Sequence, residues 1–165
     1  MKLVRIPKDK YDDYRLSAIF EGYKWDPQFL DDNTVADHVL VLTQEEDAML
    51  KELVVNLGKE TETSEILMNQ NHKLMKDLKL PFKMKRMLKK MSNYNPEEHI
   101  RLMRFDFHPC TDGSLMISEV NSDVPGGFAE ASLIPQIVLK YLDSKDYHYT
   151  SFGDVLMRAV KKKVK

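Results

Sequence analysis

The most regular alternation of hydrophobic and polar positions begins at Met103. Met103, Phe105 and Phe107 are separated by single polar residues, which is the two-residue period of a β-strand with one buried face. A turn, His108–Ser114, separates this run from a second apolar run. The pattern predicts a β-hairpin from about His99 to Asn121, with one apolar face and one polar face.

The polar face of the predicted hairpin carries two residues from each strand. Arg104 and Asp106 are two residues apart, as are Glu119 and Asn121, so the members of each pair point to the same side of their strand. Two carboxylates and a carboxamide are hard oxygen ligands that suit Mg²⁺, and an arginine suits the phosphates that accompany Mg²⁺. The same residues also suit a solvated face with ordinary cross-strand ion pairs. Residue types alone leave both interpretations open.

The register of the hairpin decides whether these residues meet. Glu119 shares a face with Arg104 and Asp106 if it lies opposite either of them, because antiparallel partners point to the same side of a sheet. A slip of one residue moves Glu119 to the other face. We therefore predict one of these two registers, or a β-bulge that restores it.

A glycine pair precedes the next predicted helix, Phe128–Leu142. In the sequence Val124-Pro125-Gly126-Gly127, the two glycines leave backbone N–H groups at the helix N-terminus open to an anion. The alternative is a tight turn that needs glycine for its φ angles, and the local sequence favours this alternative.

The rest of the chain alternates short apolar runs with helical periodicity. A loop with the only tryptophan follows the first helix, and Pro81 splits a basic segment into two short helices. The predicted elements are a strand at Lys2–Ile6, a helix at Asp9–Tyr23, a strand at Val39–Leu42, a long helix after Thr43, two short helices between Asn71 and Met91, the hairpin, the Phe128–Leu142 helix and a last helix at Ser151–Lys165.

Single residues at four places carry further signals. Gly22 stands near the end of the first helix, and Trp25 in the following loop is predicted to pack that loop onto the core. Thr43 with Glu46 fits a capping box at the start of the long helix. Gly58 in the middle of that helix marks either a kink or a close contact, at a cost of about 1 kcal/mol relative to alanine.

The segment from Asn71 to Met91 is strongly basic. It holds eight lysines and arginines against Asp77. Such a segment suits nucleic acid, phosphate or an acidic partner. The alternative is a solvated face on helices whose leucines and methionines are buried, and the absence of glycine-rich or aromatic stacking patterns favours it. The preceding helix is acidic, so some of these charges can neutralise one another.

Composition narrows the class of protein. The 165 residues are 42% hydrophobic and 31% charged with a formal net charge of −1, which predicts one folded domain over residues 1–165 without a general bias toward nucleic acid or acidic membranes. The single cysteine, Cys110, cannot form an internal disulfide and favours a reducing compartment. We find neither a secretory signal nor a membrane-spanning apolar run, so we expect a cytoplasmic protein. We predict an α/β fold, with α+β as the alternative: a small mixed sheet with a central antiparallel hairpin, flanked by several helices. The strand near Val39 is expected to join the hairpin in this sheet.

The residues of the hairpin resemble those of a known ligase family. The resemblance, to the glutathionylspermidine synthases, rests on Arg104-Phe105-Asp106, Asp112-Gly113-Ser114, Glu119-Val120-Asn121, Asp123 and Pro125. The hairpin is also similar to that of eukaryotic glutathione synthetase, and Tyr23–Gln28 and the acidic helix are similar to the N-terminal part of bacterial relatives. The glutathionylspermidine synthases and eukaryotic glutathione synthetase are both ATP-grasp ligases with a permuted domain order.

The resemblance implies an ATP-dependent joining of a small-molecule carboxylate to an amine through an acyl-phosphate. On this resemblance, Asp106, Glu119 and Asn121 would ligate Mg²⁺, and Arg104 would contact the transferred phosphate. The turn with Gly126 and Gly127 would lie nearby and help to orient substrate.

In that family, the nucleotide-gripping lysines and the glycine-rich flap come later than the counterpart of Lys165. We therefore expect the N-terminal, pre-ATP-grasp-like segment of a longer ligase, or a stand-alone remnant, which binds ATP only with the missing half. The alternative is a non-catalytic binding or scaffold domain whose acidic and basic helices meet a partner chain. Converging oxygens of Asp106, Glu119 and Asn121 would favour the cation site, whereas salt-bridged or splayed side chains would favour the alternative.

Overall fold

The computed structural model describes residues 1–91, 95–98, 101–122, 125–143 and 146–164. About 52% of the described residues are helix and 16% are strand, which confirms the mixed α/β class. The residues group into two compact units. We call Met1–Gln44 with Val124–Lys165 the terminal unit and Glu45–Asp123 the central unit. The expectation of a single domain stays a prediction.

The elements of the described chain follow the predicted order closely. They are β1 (Lys2–Arg5), α1 (Tyr11–Phe20), β2 (Gln28–Phe29), β3 (Asp32–Asn33), β4 (His38–Val41), α2 (Gln44–Gln70), α3 (His72–Asp77), α4 (Phe82–Lys90), β5 (Arg104–Pro109), β6 (Leu115–Asn121), α5 (Phe128–Val138) and α6 (Phe152–Lys163), with 3-10 turns at Lys8–Lys10 and Pro96–Glu98. The predicted start of the hairpin at His99 lies outside the described residues.

The strands form three separate two-stranded antiparallel sheets rather than one small sheet. β1 pairs with β4, β2 with β3, and β5 with β6. The expectation that the strand near Val39 and the hairpin share a sheet is therefore wrong. The strand near Val39, β4, does not join the hairpin because it pairs with β1 instead, with Leu3 opposite Leu40.

The terminal unit has a continuous apolar core. Helix α1 packs against α5, and α5 packs against α6, where the rings of Phe128 and Phe152 stack with their centroids 4.9 Å apart. The buried residues of this core are Ile6, Tyr14, Ala18, Val35, Ile137 and Val138.

Gly22 allows the end of α1 to lie close to α5. A Cβ on Gly22 would be 2.6 Å from the backbone oxygen of Ala18 and 3.2 Å from Cδ1 of Ile137. The left-handed residue after α1 is Tyr23, with φ 53°, and not the glycine. Gly22 therefore serves close packing rather than the φ angle of a helix cap.

The prediction that Trp25 anchors its loop to the core is wrong. Its side chain is 83% exposed. The neighbouring Lys24 points inward instead, is 18% exposed, and pairs with Asp26 and, at 3.8 Å, with Glu130. Lys24 is therefore largely covered by its ion pairs, while Trp25 lies in solvent.

The central unit begins with the long helix α2, which starts directly after Thr43 as the capping-box pattern predicts. None of its residues is buried. A Cβ on Gly58 would meet nothing within 4 Å, so the close-contact interpretation of this glycine is wrong. The Asn71 side chain caps α3 by accepting hydrogen bonds from the backbone N–H groups of Lys73 and Leu74, both at 3.1 Å.

The split of the basic segment into α3 and α4 around Pro81 agrees with the sequence prediction. The expected burial of its apolar side chains is wrong in most cases, because exposed residues include Leu74, Leu78, Met84 and Met87. Met75 of α3 is the buried residue among them. The interpretation as a solvated face is therefore wrong in assuming that most of the apolar side chains of these helices are buried.

Candidate functional site

The turn of the β5–β6 hairpin is fixed by its own sequence. Gly113 adopts a left-handed φ of +83°, which glycine adopts without steric cost. The Asp112 carboxylate accepts hydrogen bonds from the backbone N–H of Ser114 at 2.9 Å and from its hydroxyl at 2.7 Å. These bonds lower the pKa of Asp112. The backbone N–H of Cys110 donates to the Ser114 carbonyl at 2.9 Å and closes the turn.

The register beyond the turn is set by a β-bulge. Near the turn Phe107 lies opposite Ile117, whereas one residue further along Asp106 lies opposite Glu119. Ser118 is therefore the extra residue of the bulge. Without it, the register near the turn would continue and place Ser118 opposite Asp106. The structure thus confirms the predicted position of Glu119 opposite Asp106, reached through a bulge.

Side chains hold the bulge in place. The Ser118 hydroxyl is 2.8 Å from Nε2 of His108 and donates to the backbone oxygen of Asp106 at 3.4 Å. Sequence reasoning missed both contacts. The signal was weak, because neither residue belongs to the alternation that predicted the hairpin.

Arg104 joins the two carboxylates of the polar face. Its Nε donates to Oδ1 of Asp106 at 2.7 Å and its Nη2 to Oδ2 at 3.0 Å. The same Nη2 donates to Oε1 of Glu119 at 3.3 Å. Asn121 lies opposite Arg104 in the ladder, so four of the predicted site residues share this face.

The ionisation of these groups follows from the contacts of the Arg104 guanidinium with the Asp106 and Glu119 carboxylates, which we call the Arg104 fork. Hydrogen bonding and charge from Arg104 lower the pKa of Asp106, and a hydrogen bond with Glu119 adds to this shift. The Asp106 hydrogen bond in turn raises the pKa of Arg104. The side chains are one-third to more than one-half exposed, so water and salt screen the attraction.

The donor chemistry of this face fits a hard cation. Two carboxylates and one carboxamide supply oxygen ligands of the type that Mg²⁺ takes. Within the described residues, no group of three or more His, Cys, Asp or Glu side chains is arranged to hold a metal ion. Because the guanidinium engages both oxygens of Asp106, a cation at this carboxylate would compete with Arg104 for it.

Gly126 and Gly127 belong to the terminal unit and are described separately from the hairpin. Gly127 has a left-handed φ of +87° directly before α5, which confirms that the turn needs glycine for its conformation. Its carbonyl accepts from the backbone N–H of Ala131 at 2.9 Å. The predicted role of the two glycines in anion or substrate binding stays a prediction. Val124, at the start of this predicted turn, lies outside the described residues.

A second ion pair, which the sequence did not reveal, fixes the base of the hairpin. Arg101 pairs with Glu65 of α2, and its Nη2 donates to the Ser122 hydroxyl at 3.4 Å. Both charged side chains are less than one-third exposed. This contact holds the strand ends that carry Arg104 and Asn121 against the long helix.

Comparison of the chain with protein-family models, with curated proteins and with solved structures gives no match. None of the described helices has both the length and the apolar character needed to cross a lipid bilayer.

Proposed function

We propose that the β5–β6 hairpin supplies the Mg²⁺- and phosphate-contacting corner of an ATP-dependent carboxylate–amine ligase resembling the glutathionylspermidine synthases. The observation that carries the proposal is the convergence of Arg104, Asp106 and Glu119 on one face through the Ser118 bulge. A partner chain or further sequence supplies the rest of the nucleotide site.

The proposal assigns a part to each side chain. Asp106, Glu119 and Asn121 would hold Mg²⁺ through oxygen atoms, and the bound ion would offset charge on phosphate oxygens. Arg104 would leave the Asp106 carboxylate and donate its N–H groups to the transferred phosphate, for which the planar guanidinium is suited. The carboxylates released by Arg104 would then be free to accept the cation.

One observation favours a second function. Arg104 donates to both oxygens of Asp106 and to one of Glu119, so the two carboxylates have a counter-charge without a cation. This arrangement suits a non-catalytic binding or scaffold domain that pairs with a partner chain. The two functions differ in whether Mg²⁺ displaces the arginine.

Calorimetric titration with Mg²⁺ and then Mg²⁺-ATP distinguishes the two functions. The ligase proposal predicts that the wild type binds Mg²⁺ through the hairpin and makes only weak contacts with the phosphates of Mg²⁺-ATP without the rest of the nucleotide site. It also predicts that Glu119→Ala binds Mg²⁺ at least tenfold more weakly. Asp31→Asn is the matched control, because it removes one exposed carboxylate from the terminal unit and leaves the hairpin unchanged. Identical affinity of the wild type and Glu119→Ala would favour the scaffold domain and exclude the metal role of Glu119.

A further inference from the structure

The central unit carries two helical regions of opposite charge. Helix α2 has seven carboxylates against two lysines, whereas the segment His72–Lys90, which forms α3 and α4, has eight lysines and arginines against one aspartate. Opposite charges at this density attract one another over roughly 10 Å at moderate salt.

Some charges of α2 are paired inside the unit, whereas the lysines and arginines of α3 and α4 form no ion pair within the described residues. The described ion pairs of α2 join Asp47 to Lys51 and Glu65 to Arg101. Across the described part of the chain, no ion pair involves a lysine or arginine of α3 or α4. The basic helices therefore present their charge to solvent.

Helix α4 also presents an apolar stripe. Met84, Met87 and Met91 follow one another at helical spacing and are each about one-half exposed or more. Methionine side chains adapt to irregular partner surfaces. Lys83 and Lys90 are on the flank of this stripe, seven residues or about 10 Å apart along the axis.

The exposed face of α2 is the complement of this surface. Met49, Glu52, Glu60 and Leu67 fall on one side of the helix at spacings of three, eight and seven residues, and all four are exposed. Glu52 and Glu60 are about 12 Å apart along the axis, close to the separation of Lys83 and Lys90. Met49 and Leu67 lie beyond the two ends of the acidic pair on this face.

We propose that two copies of this chain associate through reciprocal contacts, α4 of one copy lying on the exposed face of α2 of the other. A two-fold dimer of this kind uses each of the two surfaces of each copy once, in two equivalent contacts, and closes without further growth. The acidic face of α2 matches the charge of α4. A second copy is favoured over an anionic lipid surface because the exposed Phe82 lies on the lysine side of α4, whereas a helix in a lipid interface collects its apolar residues on one face. The inference does not depend on the proposed ligase function.

Sedimentation equilibrium over a range of concentrations tests this association. We expect a monomer–dimer equilibrium that weakens as salt is raised. Each double reversal, Glu52→Lys with Glu60→Lys or Lys83→Glu with Lys90→Glu, should weaken the dimer at least tenfold. An equal mixture of the two variants should restore it, because their heterodimer pairs opposite charges at both contacts. Asp31→Lys with Asp32→Lys, in the terminal unit, is the control and should leave the equilibrium unchanged.

Several results would overturn the proposal. A monomer at every concentration would do so, as would a dimer that neither reversal weakens, or a mixture of the variants that fails to associate. Flotation with vesicles of phosphatidylcholine and phosphatidylserine tests whether the same surface binds lipid. A monomer that binds these vesicles through α4 would assign the surface to lipid instead.

Discussion

The terminal and central units differ in how many of their apolar side chains are buried and in whether their charged side chains form ion pairs. In the terminal unit, Tyr14, Ala18 and Ile137 are buried between helices, and Lys140 pairs with Glu21 at 2.7 Å. In the central unit, the described core is reduced to Met75, and methionines and lysines of α4 face solvent. Because apolar burial is the main stabilising term in folding, most of the described stabilising burial lies in the terminal unit.

Truncation of core side chains should show the largest difference between the units. Ile137→Ala removes a buried side chain and should lower the free energy of unfolding by about 3 kcal/mol. Met87→Ala in the central unit, at an exposed position, should change it by less than about 0.5 kcal/mol. Urea unfolding followed by circular dichroism measures both. Equal effects at the two positions would contradict the comparison.

Alanine at Gly22 should have the next largest effect. The new Cβ would be 2.6 Å from the Ala18 carbonyl oxygen, so we expect a loss of about 2 kcal/mol from overpacking. Gly153→Ala is the matched control in the same unit, because its Cβ would lie no closer than 3.6 Å to any neighbour. An unchanged urea midpoint for Gly22→Ala would show that α1 and α5 can separate at no cost.

Alanine at Gly58 should act in the opposite direction. The position is inside α2, and a Cβ there would meet nothing within 4 Å. The substitution should therefore stabilise the helix by about 1 kcal/mol through helix propensity. Thermal unfolding measures the change, and a lower melting temperature would indicate a contact of Gly58 that the structure does not contain.

The smallest expected effect concerns the ionisation of Asp106. Arg104 lowers the pKa of this carboxyl below its ordinary value of 3.8, so Arg104→Gln should raise it again. Because the shift is downward, the fork stabilises the fold above the ordinary pKa, and this contribution disappears as pH falls through the lowered pKa. Carboxyl carbon chemical shifts followed by NMR measure the titration. An identical pKa in the wild type and Arg104→Gln would contradict the fork.

The sequence predicted the fold where its patterns are local. Alternation at Phe105 and Phe107 predicted the hairpin, and Pro81 predicted the break between α3 and α4. The sequence failed where long-range packing decides, because neither the exposure of Trp25 nor the close approach at Gly22 depends on neighbouring residues alone. The site residues Arg104, Asp106 and Glu119 were predicted on one face, but the Arg104 fork depends on rotamers that residue types do not specify.

The central claim is that Mg²⁺-ATP draws Arg104 away from Asp106. The most direct test follows the Nε–H signal of Arg104 by NMR during titration with Mg²⁺-ATP, with Mg²⁺ alone and Glu119→Ala as controls. We expect the Arg104 signal to shift and saturate in the wild type and to stay in place in Glu119→Ala. An Arg104 signal that remains at its starting position in the wild type at saturating Mg²⁺-ATP would contradict the ligase assignment.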